Sequence, residues 1–215
     1  MTPRPYRMQA RQVAAAATRA RVVAAARRLL SAKRGIAAFT IDAVASEAGV
    51  ARMTIYHQFG AKTGLIEAVF DSLAIVRTGV PRLVAALELA EPLDTLAEFV
   101  MTFADVWQTD RAVIRRMQGL AATDPEFARV WHRREERRRD GLRTIVGRIA
   151  ARRGRRAAAY DIDILTDVLF ALIAFETYDV IAGPRRRLDA IAPVIRQLAL
   201  KALGVDDGGP VCDGR

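Results

Sequence analysis

Residues 40 to 65 read TIDAVASEAGVARMTIYHQFGAKTGL, and the architecture turns on how this stretch is parsed. Thr40 is a good helix N-cap, and Asp42 just after it suits the helix dipole. Ile41, Val44, Ala45 and Ala48 recur at helical spacing until Gly49 stops the run. A second short helix is expected over about 51–58, with Val50, Ile55 and Phe59 turned inward. Two helices of this size joined through a glycine make a helix-turn-helix, which offers its second helix to the major groove of DNA. With the apolar positions inward, Arg52, Met53, Tyr56 and His57 face outward, flanked by Thr54. These are side chains able to reach base edges and phosphates.

Lys62 opens the next helix, where an ammonium opposes the macrodipole. A phosphate at that spot reverses the sign, because it pairs with the ammonium and accepts from the free helix amides. The pattern therefore predicts that Tyr56, His57 and Lys62 grip a nucleic-acid backbone while their neighbours read bases.

Charge agrees with this reading. The chain has 215 residues and a formal net charge of +10. Residues 1–78 hold 12 Lys and Arg against 4 Asp and Glu; the remainder holds 22 against 20. A field concentrated in the first third attracts polyanions. A second Arg-rich stretch, residues 128–156, has 12 Arg and three acidic residues. Its Glu135–Arg139 spacing at i,i+4 suggests a solvated helix face rather than a second DNA surface.

Working outward, residues 1–17 carry Pro3, Pro5, Arg4, Arg7 and Arg11 and predict a basic flexible arm. A first helix is expected over about 18–33, ended by Lys33, Arg34 and Gly35. The helix from Lys62 runs to about 78, and Gly79 and Pro81 mark a boundary. Further helices are expected over about 82–89, 93–109, 111–122, 125–153, 161–182 and 188–203, with a disordered tail over 205–215. Hydrophobic residues make up 52% of the chain, and no apolar run approaches the roughly 20 residues a membrane span needs. No apolar stretch follows the basic N-terminus, so a secretory signal is not expected. The single cysteine, Cys212, excludes an intramolecular disulfide and fits a reducing cytoplasm, with association to the nucleoid.

The segment resembles the DNA-binding domain of tetracycline-repressor (TetR) family transcription regulators. The residues that carry the resemblance are the Thr40-capped helix, Ala45-x-x-Ala48-Gly49-Val50, Tyr56-x-x-Phe59 and Lys62, preceded by RVVAAARRLLSAKRG. It covers about residues 18–70. It implies an all-α fold: an N-terminal three-helix helix-turn-helix domain over 18–78 and a larger helical effector-binding and dimerisation domain over 79–204. It also implies phosphate contacts from Thr40, Thr54, Tyr56 and Lys62, and base-side contacts from Arg52, Met53 and His57. Two positions depart from the family pattern: Ala51 and Ala61 stand where capping side chains are usual.

In the larger part, residues 93–109 are apolar on most sides, which places that helix in a core or against a cavity. The family resemblance implies a small-molecule pocket here, and Phe103, Trp107, Met117, Trp131, Phe170 and Tyr178 are its candidate lining. Glu176, inside an apolar helix, is expected to need a partner, either a ligand or an Arg at a dimer seam. The resemblance further implies a homodimer built on a four-helix bundle, with Ile173, Val180, Ile191, Ile195 and Leu198 as candidate interface residues. Double-stranded DNA, a second copy of the chain and an unidentified small effector are thus the expected partners. No cofactor, metal or catalytic residue is expected: His57 and His132 lie far apart, and no HExxH, P-loop, GxSxG or metal-spaced Cys/His group is present. The reading is a transcriptional regulator, a repressor released from a near-palindromic operator by a small, largely apolar ligand. The alternative is an architectural DNA-binding protein without a ligand.

Overall fold

The structure, a computed structural model, describes residues 4–32, 39–153 and 161–205. Among the described residues every element is helical, as the sequence predicts. In order they are α1 (Arg4–Ser31), α2 (Ile41–Ala48), α3 (Arg52–Phe59), α4 (Lys62–Asp71), a π-helical turn (Ile75–Gly79), α5 (Val80–Leu87), α6 (Pro92–Thr109), α7 (Arg111–Ala121), α8 (Pro125–Arg153), α9 (Ile162–Leu172), α10 (Phe175–Ala182), a 3-10 turn (Asp189–Ile191) and α11 (Ala192–Ala202). The tail expected beyond Val205, Cys212 with it, and the stop signal at Lys33 to Gly35 lie outside the described residues.

Three segment expectations need correction. The basic stretch from Arg4 onward is helical and continuous with α1, not a loose arm. Pro5 falls in the first helical turn, where its missing N–H is no loss, and Ala14 to Ala17 favour helix strongly. The helix expected over 62–78 ends at Asp71. The helix expected over 161–182 is broken at Ile173 and Ala174, with Ala174 extended at φ −66°, ψ 148°. No Pro or Gly signals that break. Instead the Thr177 hydroxyl donates to the Ala171 carbonyl at 2.5 Å, and Trp107 Nε1 donates to the Ile173 carbonyl at 3.1 Å. The interrupted ladder is satisfied by side chains.

The chain forms two compact units. One takes the residues through Val76 together with Asp110–Arg133; the other takes Arg77–Thr109 and the residues from Arg134 on. The first crossing lies near the boundary expected from Gly79, but Asp110–Arg133 returns to the first unit.

In the first unit, Val22, Ala25, Ala26 and Leu30 of α1 are buried, together with Ile55 and Phe59 of α3 and Leu65, Ile66, Val69 and Phe70 of α4. Met117 of α7 and Phe127 of α8 complete this core. Asp110 sits among these elements with 2% of its side chain exposed. It stands at the N-cap of α7 but makes no side-chain cap bond there. Its Oδ1 accepts from Arg27 of α1, and its Oδ2 accepts from the Ala74 amide at 2.6 Å. Arg27 also donates to the Ser72 carbonyl at 2.7 Å. One carboxylate thus ties α1, the end of α4 and the start of α7.

Gly64 is required by a close approach. A Cβ there would stand 2.0 Å from the Phe59 carbonyl oxygen, so only glycine lets α4 leave the end of α3 at this angle.

In the second unit, α6 is buried along Leu96, Phe99, Val100, Phe103, Val106 and Trp107. Tyr178, fully buried, donates its hydroxyl to the Val100 carbonyl at 2.9 Å. Burial pushes that hydroxyl's pKa up, so it stays a donor. The Arg-rich face of α8 is largely spoken for: Arg139 pairs with Asp167, Arg143 with Asp163 and Arg152 with Glu91, while Arg148 binds the carbonyls of Leu87 and Leu89.

Removing the Asp110 carboxylate leaves Arg27 and the Ala74 amide without their acceptor, so Asp110→Ala is expected to destabilise the fold by about 3 kcal/mol in denaturant unfolding. Gly64→Ala is expected to destabilise by about 2 kcal/mol through the backbone clash, read as a lowered Tm.

Candidate nucleic-acid interface and effector site

Local chemistry positions α3. Thr40 caps α2, its Oγ1 accepting from the Ala43 amide at 3.1 Å. A hydroxyl retains a donor after accepting, so the cap leaves Thr40 able to donate outward. Gly49 ends α2 in the left-handed region at φ 64°, and its amide and that of Val50 return to the Ser46 and Ala45 carbonyls. The other end of α3 is held by α1. Arg19 donates to the Gln58 carbonyl at 2.9 Å and lies 4.4 Å from the Phe59 ring centre. Neither Ala51 nor Ala61, the N-cap residues of α3 and α4, makes a side-chain cap bond.

With Ile55 and Phe59 buried, α3 exposes Arg52, Met53 and His57, while Thr54 and Tyr56 are half-buried. The structure brings these five together on one face of a short helix. Thr40 is exposed at the start of α2. Arg52 is held in place: Nη1 donates to both Asp42 oxygens at 3.2 and 3.1 Å, and Nη2 donates to the Tyr56 hydroxyl at 3.3 Å. The Tyr56 hydroxyl first, then the Asp42 charge, hold the guanidinium's pKa above its ordinary value. Sequence reasoning gave Asp42 only a dipole role; its place ten residues before Arg52 carries no periodic signal.

Lys62 is placed differently from expectation. Its ammonium is paired with Asp124, in the loop before α8. The anion that the macrodipole argument asks for is supplied by the chain itself. Thr63 donates to Glu126 at 3.1 Å, and Glu67 pairs with Arg133, so the start of α4 is fastened to α8 over two turns. Asp124 also caps α8, accepting from the Glu126 amide at 3.0 Å and the Phe127 amide at 3.3 Å. Lys62 first, and these amides, hold the Asp124 carboxyl below the ordinary carboxylate value of 3.8 although burial opposes them.

The candidate pocket residues divide between the units. Met117 is fully buried in the first, and Trp131 there packs against Phe70 with the rings tilted at 53° and their centroids 5.8 Å apart. Phe103, Trp107, Phe170, Glu176 and Tyr178 are in the second. There Phe99, Phe103, Trp107 and Phe175 form a chain of rings with centroid spacings of 6.2, 5.4 and 6.0 Å. The polar atoms of Trp107 and Tyr178 serve main-chain carbonyls, as described above. Glu176 is exposed in the first turn of α10, where a carboxylate suits the dipole, so the premise of a buried carboxylate does not hold. Sequence reasoning missed Arg138, whose guanidinium lies 4.2 Å from the Phe170 ring centre and 5.8 Å from those of Phe103 and Trp107. The available signal was its register with Leu142, Ile145 and Ile149 on the buried face of α8.

Of the candidate interface residues, Ile173, Ile191 and Ile195 are buried in the chain's own core, while Val180 and Leu198 are exposed. Ile162, Ile164 and Val168 on α9 and Val194 on α11 are also exposed. Ile195 and Ala199 fill the inner face of α11 and leave Val194 and Leu198, four residues apart, on the other.

Residues 22–69 match the family described as bacterial regulatory proteins, tetR family. The chain is 25% identical over 171 residues to the HTH-type transcriptional repressor BepR of Brucella suis biovar 1 (strain 1330), covering 77% of this chain and 81% of that protein. Its fold is similar to the fatty acid degradation regulator FadR from Bacillus halodurans, with a TM-score of 0.69, 18% identity, and 92% of this chain and 97% of the other covered. It is also similar to NalD, the secondary repressor of the MexAB-OprM multidrug efflux pump in Pseudomonas aeruginosa, with a TM-score of 0.66, 20% identity, and 91% and 99% covered.

Because the Asp124 pKa is depressed in the folded state, its contribution is complete above 3.8 and is lost as pH falls through the lower folded value. The stability gap between wild type and Asp124→Asn, followed by denaturant unfolding from pH 7 to pH 3, is therefore expected to narrow below that value.

Proposed function

This chain belongs to the TetR family of bacterial regulatory proteins, and from that we propose that it is a transcriptional repressor that reads a near-palindromic operator as a homodimer and leaves it when a small, largely apolar ligand binds. The observation that carries the reading is the outer face of α3: Arg52, Met53 and His57 exposed beside Tyr56, on a helix capped and braced from both ends. Such a face is sized for a major groove. Arg52 is the candidate base reader, since a guanidinium offers the two parallel donors that match a guanine edge. Thr40, Thr54 and Tyr56 have hydroxyls that suit phosphates. Lys62 keeps Asp124 as its partner in the free chain, so its part in DNA binding is the positioning of α4 beneath α3 rather than a free phosphate grip.

The exposed apolar positions on α9, α10 and α11 support dimerisation, because several large side chains there remain partly open to solvent. A two-fold pair places its recognition helices roughly 34 Å apart, one turn of duplex. The aromatic chain along α6 supports an effector site in the second unit. Release requires a ligand that binds better to a conformation in which the two α3 helices no longer fit successive grooves.

Selection of bound duplexes from a random pool, at fixed salt, tests the reading. The expected result is a two-fold symmetric consensus, with Arg52→Ala weakening binding about tenfold and relaxing preference at one position per half-site. Tyr56→Phe should weaken binding without changing the consensus. Equal affinity for every duplex would overturn the repressor reading in favour of an architectural DNA binder.

A further inference from the structure

Among the described residues of the second unit, Arg138 is a buried charged side chain whose donors the chain does not fully satisfy, although the charges of Glu135 and Glu176 act on it. Only 8% of that side chain is exposed, and burial pulls its pKa down to about 10. Its Nε has no hydrogen-bond partner among the described residues. Its ion-pair partner Glu135 stands 3.6 Å away, beyond hydrogen-bond length, and is itself more exposed at 27%. One residue before Phe103, Thr102 Oγ1 is likewise buried without a partner. A buried guanidinium with unmet donors is costly, and packing alone is served better by an apolar side chain of that length.

The geometry says what would meet those donors. The guanidinium lies over the Phe170 ring, with Phe103 and Trp107 flanking it. A guanidinium that covers rings with its flat face keeps its N–H groups along the edge, and two of them match one carboxylate. The rings around it offer apolar contact to whatever bears that carboxylate.

We propose that Arg138 is the head-group receptor of an effector site in this unit, and that the effector is an apolar molecule ending in a carboxylate. The carboxylate competes with Glu135 for the guanidinium. This rests on the reading that the second unit carries the effector site, and it adds the chemical class.

The test uses the full-length chain and three probes of matched length kept below micelle formation: decanoate, decanol and decyltrimethylammonium. Binding is measured by calorimetry without DNA. Decanoate is expected to bind at least tenfold more tightly than the other two. Arg138→Gln should erase that preference, while Glu135→Gln should tighten decanoate several-fold by removing the competing charge. A purely structural Arg138 predicts neither the preference nor the opposite signs. The wild-type ranking needs no variant, so it stands even if Arg138→Gln folds poorly. Equal binding of alcohol and acid, tighter binding of the cation, or no binding of any probe overturns the proposal. Decanoate that binds with this preference but leaves the selected operator bound supports the site and overturns release by ligand.

Discussion

The carboxylate of Asp110 is a buried charge, and the first unit is arranged to answer it. Arg27 reaches it from α1, and the Ala74 amide reaches it just past α4. An isolated carboxylate in such a place would take up a proton or stay in water. Here the same contacts that satisfy it set the distance between α1 and α4. Those helices carry the braces on α3: Arg19 at its end, and Gly64, whose missing Cβ lets the next helix start against it. Directional bonds to a charge tolerate less drift than apolar contacts do, so the pair supplies angle where the core supplies cohesion.

Much of the helix-turn-helix was legible from local pattern, because its determinants are local. A Thr cap, a left-handed glycine and an apolar stripe act within a few residues of one another, and the structure keeps each where the pattern puts it. What escaped reading was long-range pairing. Asp124 lies 62 residues from Lys62, and nothing near either position announces the other. The macrodipole argument correctly demanded an anion at Lys62, yet it could not say that the anion belonged to the chain.

The second unit shows the same division. The apolar character of α6 was plain, but the faces of α9 to α11 were not separable, since apolar residues there serve the core and the surface alike. Ile173, Ile191 and Ile195 went to the core, and Val180 and Leu198 to the outside. The break between α9 and α10 lacks any local breaker. It exists because Thr177 and Trp107 accommodate the freed carbonyls, and Trp107 comes from a different helix. Arg138 was hidden by its company: in a run of arginines most are solvated or paired, and only the register with Leu142 and Ile145 distinguishes it.

The Asp42–Arg52 contact has a consequence for selectivity. In the free chain Arg52 is held by Asp42 and by the Tyr56 hydroxyl. To touch a base it must first let go of Asp42, whose negative charge then faces a negatively charged duplex. A weak acceptor leaves that exchange uphill, whereas a well-placed guanine edge repays it. In the proposed complex, discrimination would then arise as much from the discomfort of the wrong site as from the attraction of the right one.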